Sequence, residues 1–240
     1  MNATAALLIH RNTGSFDWHA VDRLPFDPET TAERCRGHRY LLVKRVMDLP
    51  IAIVLVISLI PLMLLIALAV KLTSSGPVLF RQRRLGRNGR IFHCLKFRSM
   101  RCDAEAVLRG NPEIRAKYVA NGYKLPEQED PRVTPLGRFL RRTSLDELPQ
   151  LINVVRGEMS LVGPRPIVPA EIAEYGIRAH DFVAALPGIT GKWQVSGRAS
   201  IQYPARAQIE LDYVYGWSPR EDFKILLRTV PAVLTRVGAH

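Results

Sequence analysis

An uncharged apolar segment limits what this 240-residue chain can fold into more than any other feature does. It occupies residues 49–70, and 22 residues are enough to cross the hydrocarbon core of a bilayer as a helix. The segment lies too deep in the chain to be a secretory signal peptide. It therefore predicts a membrane-associated helix.

Two details bear on whether this helix crosses the membrane. Pro61 lies near its middle, where proline removes a helical hydrogen bond and favours a sharp bend. Lys44 and Arg45 precede the segment and Lys71 follows it, so the positive-inside rule gives no direction for a crossing. A helix that enters, bends at Pro61 and returns to the same face satisfies both flanks. A kinked spanning helix is the alternative.

A basic stretch follows the apolar segment and supplies much of the net charge of +12. Beside a membrane helix, such a stretch is typical of attraction to anionic lipid headgroups, at about 1 kcal/mol per basic residue near the surface. We do not expect nucleic acid as a partner, because the stretch adjoins the apolar segment and lacks the aromatics on which bases stack. Its nine basic residues are Lys71, Arg81, Arg83, Arg84, Arg87, Arg90, Lys96, Arg98 and Arg101, with no acid among them.

Two adjacent acids, Asp146 and Glu147, stand among arginines. Ser144 and Glu147 have the spacing of a capping box, which would put Asp146 in the first turn of a helix and would explain both acids structurally. The pattern also suits chemistry on phosphates, since arginines can hold phosphate oxygens while a carboxylate attacks phosphorus or holds a divalent cation. Free N–H groups at the helix start would keep that carboxylate ionised and nucleophilic.

The rest of the sequence predicts short strands and several helices. Residues 78–81 and 91–95 are predicted as the strands of a hairpin, with Asn88 and Gly89 as the turn signal. Residues 138–142, 148–155 and 225–237 are predicted as helices, the last with an apolar face suited to the membrane interface or to packing on the domain. Cys35, Cys94 and Cys102 do not have the spacing of a metal or disulfide framework, so we expect reduced thiols.

Several motifs occur in a fixed order from about residue 42 to the C-terminus. In this combination the chain resembles the bacterial sugar transferases, the monotopic polyprenyl-phosphate phosphoglycosyltransferases that prime exopolysaccharide and other surface glycans. The motifs are Lys44-Arg45-Val46-Met47-Asp48, Gly76-Pro77-Val78-Leu79-Phe80-Arg81-Gln82, Lys96-Phe97-Arg98-Ser99-Met100, Asp146-Glu147, Gly163-Pro164-Arg165-Pro166, Pro187-Gly188-Ile189-Thr190-Gly191-Lys192-Trp193-Gln194-Val195-Ser196-Gly197-Arg198, Leu211-Asp212-Tyr213-Val214-Tyr215, Trp217-Ser218 and Asp222.

The resemblance implies an enzyme with a two-step reaction. Asp146 would attack the β-phosphorus of a UDP-sugar, release UMP and form an aspartyl phosphosugar, and undecaprenyl phosphate would then accept the sugar phosphate. Glu147 matches the partner acid that holds Mg²⁺, a cation that takes one or two carboxylates together with substrate phosphate oxygens. We expect a hexose donor, UDP-glucose or UDP-galactose.

The resemblance also assigns roles to further residues. Lys96, Arg98, Arg165 and Arg198 match substrate-binding positions. Asp222 would be a second acid near Mg²⁺, although an N-cap for a following helix is an equally good local interpretation.

The fold implied is of α/β class and mostly helical. Residues 1–38 would be variable and poorly ordered, residues 39–72 a re-entrant membrane helix hairpin, and residues 73–240 one small cytosolic catalytic domain with interfacial amphipathic helices. The family keeps a polar residue before the bending proline, where this chain has Ile60. The expected location is the cytosolic face of the bacterial inner membrane, with UDP-sugar, undecaprenyl phosphate and anionic lipids as partners.

Some alternatives stay open at the level of sequence. The same acids and Mg²⁺ would serve a hydrolase of UDP-sugars or lipid diphosphates. A non-catalytic membrane adaptor could use the basic stretch to recruit a polysaccharide assembly complex. A homo-oligomer is compatible with the sequence but not indicated by it.

Overall fold

A computed structural model describes residues 32, 35, 37–120, 125–126, 128–197 and 200–234. Within this part of the chain most residues are helical and two small sheets complete the fold, as the sequence predicts. The predicted disorder of residues 1–38 falls almost wholly outside the described residues. Ala32 and Cys35 are exceptions, since both side chains are buried in the main core and the Cys35 thiol donates to the Val214 carbonyl.

The apolar segment forms the centre of α1, a helix of 36 residues from His38 to Thr73. Among the described residues it is the one helix long and apolar enough to cross a membrane. It is a single continuous element that includes Pro50 and Pro61, so the structure does not confirm a hairpin of two helices and the bend at Pro61 stays a prediction. One face is buried and the rest is exposed; the buried residues are Tyr40, Lys44, Asp48, Ala52, Ile66 and Val70.

Both ends of α1 are attached to the same domain. Near the N-terminal end, the two terminal nitrogens of Arg45 donate to the Val154 and Val155 carbonyls at 3.0 and 2.7 Å. Near the other end, Ile66 and Val70 pack into a cluster with residues of the domain, and the loop that follows the helix is bound by an arginine of that domain. The helix therefore does not lead away from the domain at either end.

A β-hairpin follows α1 and confirms the predicted pair of strands. Strand β1 (Leu79–Leu85) pairs antiparallel with β2 (Ile91–Phe97), and the intervening turn places Asn88 in the left-handed region at φ 55°. The register pairs Gln82 with Cys94 and Arg84 with Phe92. Because directly paired residues point to the same face of a sheet, these side chains share one face of the hairpin with Lys96.

The remaining elements build the domain around the hairpin. Strands β3 (Ser160–Val162) and β4 (Gly188–Thr190) form a short parallel pair. The three predicted helices are confirmed, with shifted boundaries, as α4, α5 and α9. In chain order the helices after α1 are α2 (Ala104–Gly110), α3 (Pro112–Ala120), α4 (Pro135–Arg142), α5 (Gln150–Arg156), α6 (Ala179–Phe182), α7 (Lys192–Ser196), α8 (Ala205–Gly216) and α9 (Pro219–Leu234).

Helix α9 packs on the domain and also leaves apolar side chains exposed. Ile225 is buried in the main core, whereas Phe223, Leu227 and Val230 are each about three-fifths exposed. These three positions lie on one side of the helix, since residues three or four apart are neighbours on a helix surface. The predicted helix extends to residue 237, and its last part lies outside the described residues.

Candidate active site

The acid pair lies in a tight turn between two helices. Helix α4 ends at Arg142, and a single 3₁₀ turn from Leu145 to Glu147 leads into α5. The predicted capping box is wrong, because Ser144 has left-handed backbone geometry (φ 57°) and its side chain makes no capping hydrogen bond. The Glu147 N–H instead donates to the Ser144 carbonyl. The Ser144 N–H, which the Glu147 carboxylate would accept from in a capping box, donates to the Arg141 carbonyl.

Glu147 brings two of the predicted substrate-binding residues together. Its Oε1 lies 2.7 Å from Lys96 Nζ, on β2, and 3.8 Å from Arg165 Nη2, in the loop after β3. The Arg165 guanidinium also lies 5.9 Å from the centre of the Trp193 ring. Two segments that are distant in sequence thus converge on one carboxylate.

Asp146 lies beside this group and is only 7% exposed. Its burial raises the pKa of the carboxyl group to about 6, and the neighbouring Glu147 charge acts in the same direction. Lys96, Arg141 and Arg165 oppose the shift in pKa. The net shift is upward because desolvation outweighs the favourable charges. The group is still ionised at neutral pH, and a partly desolvated carboxylate is a candidate for catalysis.

The raised pKa of Asp146 predicts how stability varies with pH in magnesium-free buffer. The native state holds the proton more tightly than the unfolded chain, so this stabilising contribution is present at low pH and is lost as the pH rises through about 6. Asp146→Asn removes the titration. We expect the variant to gain on the order of 2 kcal/mol in free energy of unfolding, relative to wild type, between pH 4 and pH 7.5.

The measurement is unfolding of both proteins in detergent micelles across that pH range. A difference in free energy between the two proteins that stays constant with pH would contradict the assignment of the raised pKa to Asp146.

An open cleft lies next to the acid pair, and we call it the Glu147 cleft. Arg84 and Gln150 line it without having been predicted as site residues. The alternation along the hairpin is the signal that could have found Arg84, since it places Arg84 on the same face as Cys94 and Lys96. The lining residues are Arg84, Cys94, Lys96, Glu147, Gln150, Arg165, Pro166, Gly188 and Ile189.

Arg98 does not line the Glu147 cleft. It is 7% exposed and donates to the carbonyls of Ser74 and Ser75, directly after α1. Strand β2 ends at Phe97, so the alternation that would keep Arg98 beside Lys96 is lost there. Arg98 therefore lies where α1 joins the rest of the domain.

Asp222 is likewise not brought to Glu147. It is 2% exposed, and its Oδ2 lies 2.6 Å from Lys44 Nζ and accepts from Trp217 Nε1. Its Oδ1 accepts from the Tyr213 hydroxyl at 2.7 Å. Asp222 lies inside the first turn of α9, so the N-cap interpretation is wrong too. One carboxylate oxygen is thus engaged in a buried ion pair with α1, and the other accepts from a tyrosine of α8.

The two remaining predictions concern Arg198 and a bound metal ion. Arg198 lies outside the described residues. In the part of the chain that the structure does describe, no group of three or more His, Cys, Asp or Glu side chains could hold a metal ion. A metal at this site would therefore need oxygen ligands from a substrate in addition to the acid pair.

Comparison with known proteins decides the family. The sequence profile of the bacterial sugar transferases matches residues 39–236, which include α1, the hairpin and the acid pair. The chain belongs to the bacterial sugar transferase family. The match begins at the N-terminal end of α1, so the membrane-associated helix is part of the shared sequence and not an addition to it.

Individual relatives within the family share more than two-fifths of the aligned residues. The exopolysaccharide production protein ExoY of Sinorhizobium fredii is 43% identical over 82% of this chain and 88% of its own length. The undecaprenyl-phosphate galactose phosphotransferase of Salmonella typhimurium is 44% identical over 85% of this chain and 43% of its own length. The UDP-glucose:undecaprenyl-phosphate glucose-1-phosphate transferase of Caulobacter vibrioides is 43% identical over 83% of this chain and 72% of its own length. The chain thus spans less than half of some relatives.

Proposed function

We propose that this protein is an enzyme that transfers a sugar 1-phosphate from a UDP-sugar to undecaprenyl phosphate and releases UMP, the initiating step of a surface polysaccharide. The observation that carries the proposal is the buried Asp146 carboxyl beside Glu147, with Lys96 and Arg165 arranged around the pair. The names of the relatives support the two substrate classes, since they specify undecaprenyl phosphate as acceptor and UDP-glucose as a donor.

The proposed reaction proceeds through a covalent aspartyl phosphosugar. An oxygen of the Asp146 carboxylate forms a bond to the β-phosphorus, and the bond from that phosphorus to the bridging oxygen breaks, so that UMP leaves with the electron pair. An oxygen of undecaprenyl phosphate then attacks the same phosphorus, and the Asp146 carboxylate is released. Lys96 and Arg165 stabilise the negative charge of the phosphate oxygens in both steps.

The acid pair also fits the proposed cofactor. Mg²⁺ is bound through one or two carboxylates and substrate phosphates rather than by an all-protein cage, and the described part of the site offers two adjacent carboxylates. Glu147 would hold the cation, and Mg²⁺, when bound, neutralises charge on the diphosphate. Asp222 is not included in this set, because its oxygens are engaged by Lys44, Tyr213 and Trp217.

The location proposed is the cytosolic face of the bacterial inner membrane. Both ends of α1 bind the same domain, while Ile57, Leu64, Leu65 and other residues of its outer face are highly exposed. An exposed apolar face of this size is stable against lipid. A helix that enters one leaflet and returns, with its turn near Pro61, accounts for both observations. Exposed arginines such as Arg81 would then contact anionic headgroups.

The test of the proposed function is UMP release from UDP-glucose, UDP-galactose and UDP-N-acetylglucosamine with Mg²⁺, with and without undecaprenyl phosphate. We expect sustained release from one hexose donor only when the acceptor is present, and at most one UMP per enzyme molecule without it. Sustained release without acceptor would indicate a hydrolase instead. No release from any donor by folded protein would contradict an enzymatic role and favour an adaptor.

A further inference from the structure

Arg84 is fixed on the wall of the Glu147 cleft by the register of the hairpin. Its partner across the sheet is Phe92, and Gln82, two residues before it, points to the same face. The Arg84 Nη2 atom donates to Gln82 Oε1 at 2.6 Å. The neighbouring basic residues Arg81 and Arg83 point to the opposite face and are exposed. Strand alternation alone thus places Arg84 on the opposite face of the hairpin from Arg81 and Arg83.

One hydrogen-bond donor of the Arg84 guanidinium is buried without a partner among the described residues. The Nε atom is out of contact with solvent and has no hydrogen-bond partner among the described residues. Burial lowers the pKa of Arg84, and the charge of Arg165 lowers it further. The charges of Glu171 and Glu147 oppose this shift but do not cancel it. A buried cation that is incompletely compensated is costly, and an incoming anion would remove much of that cost.

The charged residues that line the cleft carry a net positive charge. Arg84, Lys96 and Arg165 contribute three cations, and Glu147 is the one carboxylate that lines the cleft with them. Glu147 is already within 2.7 Å of Lys96 and 3.8 Å of Arg165, so its single charge is shared with those two cations. The lining therefore carries net positive charge, and Arg84 is its cation with a buried nitrogen that lacks a hydrogen-bond partner among the described residues.

We propose that Arg84 binds phosphate oxygens of a substrate in the Glu147 cleft. This inference rests on the proposed function and adds a substrate-binding residue to it. A guanidinium is suited to the task because its planar donors match phosphate geometry in a way that a lysine ammonium does not. The phosphate oxygens have two sources in the proposed reaction, the diphosphate of the UDP-sugar and the phosphate of the lipid acceptor.

The first arm of the test measures binding without turnover. UDP is titrated calorimetrically into wild type, Arg84→Gln, Arg84→Lys and Arg81→Gln, the last being a matched exposed control on the same strand. If Arg84 holds the donor diphosphate, Arg84→Gln weakens UDP binding about 10- to 100-fold, Arg84→Lys recovers part of the loss, and Arg81→Gln changes little.

The second arm measures the acceptor. The concentration of undecaprenyl phosphate that gives half-maximal UMP release is determined for the same proteins. A rise of tenfold or more in Arg84→Gln, with unchanged UDP binding, identifies the acceptor phosphate as the ligand. Unchanged values in both arms for Arg84→Gln overturn the proposal.

Two controls separate this inference from other failures. Removing a desolvated cation should not lower the unfolding midpoint of Arg84→Gln, so a large drop in the midpoint would show that Arg84 has a structural role instead. If wild type binds UDP in an Arg84-dependent way but releases no UMP from any donor, the phosphate site stands and the proposed function fails. If wild type does not bind UDP and releases no UMP, both fail.

Discussion

Asp146→Asn is expected to lower UMP release at least about 1000-fold at saturating donor and acceptor, because an amide cannot form the acyl phosphate bond that the proposed mechanism requires. Asparagine has nearly the same size and carries no charge, so it fits a side chain that is 7% exposed. The fold should be preserved, since the substitution removes a carboxylate that burial disfavours.

The measurement combines turnover with detection of the intermediate. Wild-type protein incubated with donor in the absence of acceptor should gain the mass of a sugar phosphate on the peptide that contains Asp146, and the Asn variant should not. Asp146→Ala is measured in parallel, since an asparagine that deamidates would restore the native residue. The two variants should agree.

Glu147→Gln is the informative comparison for this prediction. Glu147 lies 2.7 Å from Lys96, so its neutral analogue should disturb the position of Lys96 and weaken any Mg²⁺ binding, while Asp146 remains available as nucleophile. We expect a smaller loss of turnover and retention of the covalent adduct. An adduct that persists in Asp146→Asn and is absent from Glu147→Gln would transfer the role of nucleophile to Glu147.

Local patterns in the sequence were sufficient to predict part of this fold. The hairpin follows from two short apolar runs around Asn88 and Gly89, and the structure places this asparagine in the left-handed conformation that such a turn requires. The long helix follows from an uninterrupted apolar run. Both features are determined by residues close to one another in the chain, so neither depends on knowledge of the tertiary contacts.

The features that sequence reasoning missed depend on long-range contacts. The sequence groups Arg84 with the other arginines of the basic stretch, because its orientation depends on the strand register. It also groups Arg98 with Lys96, although the strand ends between them. Ser144 and Glu147 have the spacing of a capping box, but the left-handed geometry of Ser144 prevents the capping box from forming. Cys35 was placed in a poorly ordered segment because its contact with Val214 joins residues 179 positions apart.

Lys44 and Asp222 form another long-range contact, a buried ion pair. Its removal is expected to have a large effect on stability. Lys44 belongs to the membrane helix and Asp222 to α9, and both are at most 2% exposed. Removing either partner alone leaves an uncompensated buried charge. We expect Lys44→Met and Asp222→Asn each to lower the free energy of unfolding by about 3–5 kcal/mol in detergent micelles.

A double variant and a surface control test whether the pair itself is responsible. Lys44→Met combined with Asp222→Asn removes both charges together, so its loss of stability should be smaller than the sum of the two single losses. Lys224→Gln breaks a more exposed ion pair with Glu221 on the same helix α9 and should change stability little. Strictly additive losses for Lys44 and Asp222 would contradict a coupled buried pair.

The same variants decide between a structural and a metal-binding role for Asp222. Lys44 Nζ also donates to the Val162 carbonyl at 2.6 Å, three residues before Arg165, so breaking the pair should lower turnover by displacing Arg165. In that case Lys44→Met and Asp222→Asn reduce turnover to similar extents, and the concentration of Mg²⁺ needed for half-maximal turnover stays at its wild-type value. If Asp222 holds the cation, only Asp222→Asn raises that concentration. The arrangement of its two oxygens favours the first result, because Lys44, Tyr213 and Trp217 already occupy them. Asp222 would then act on the reaction through the position of α1 relative to the loop that carries Arg165.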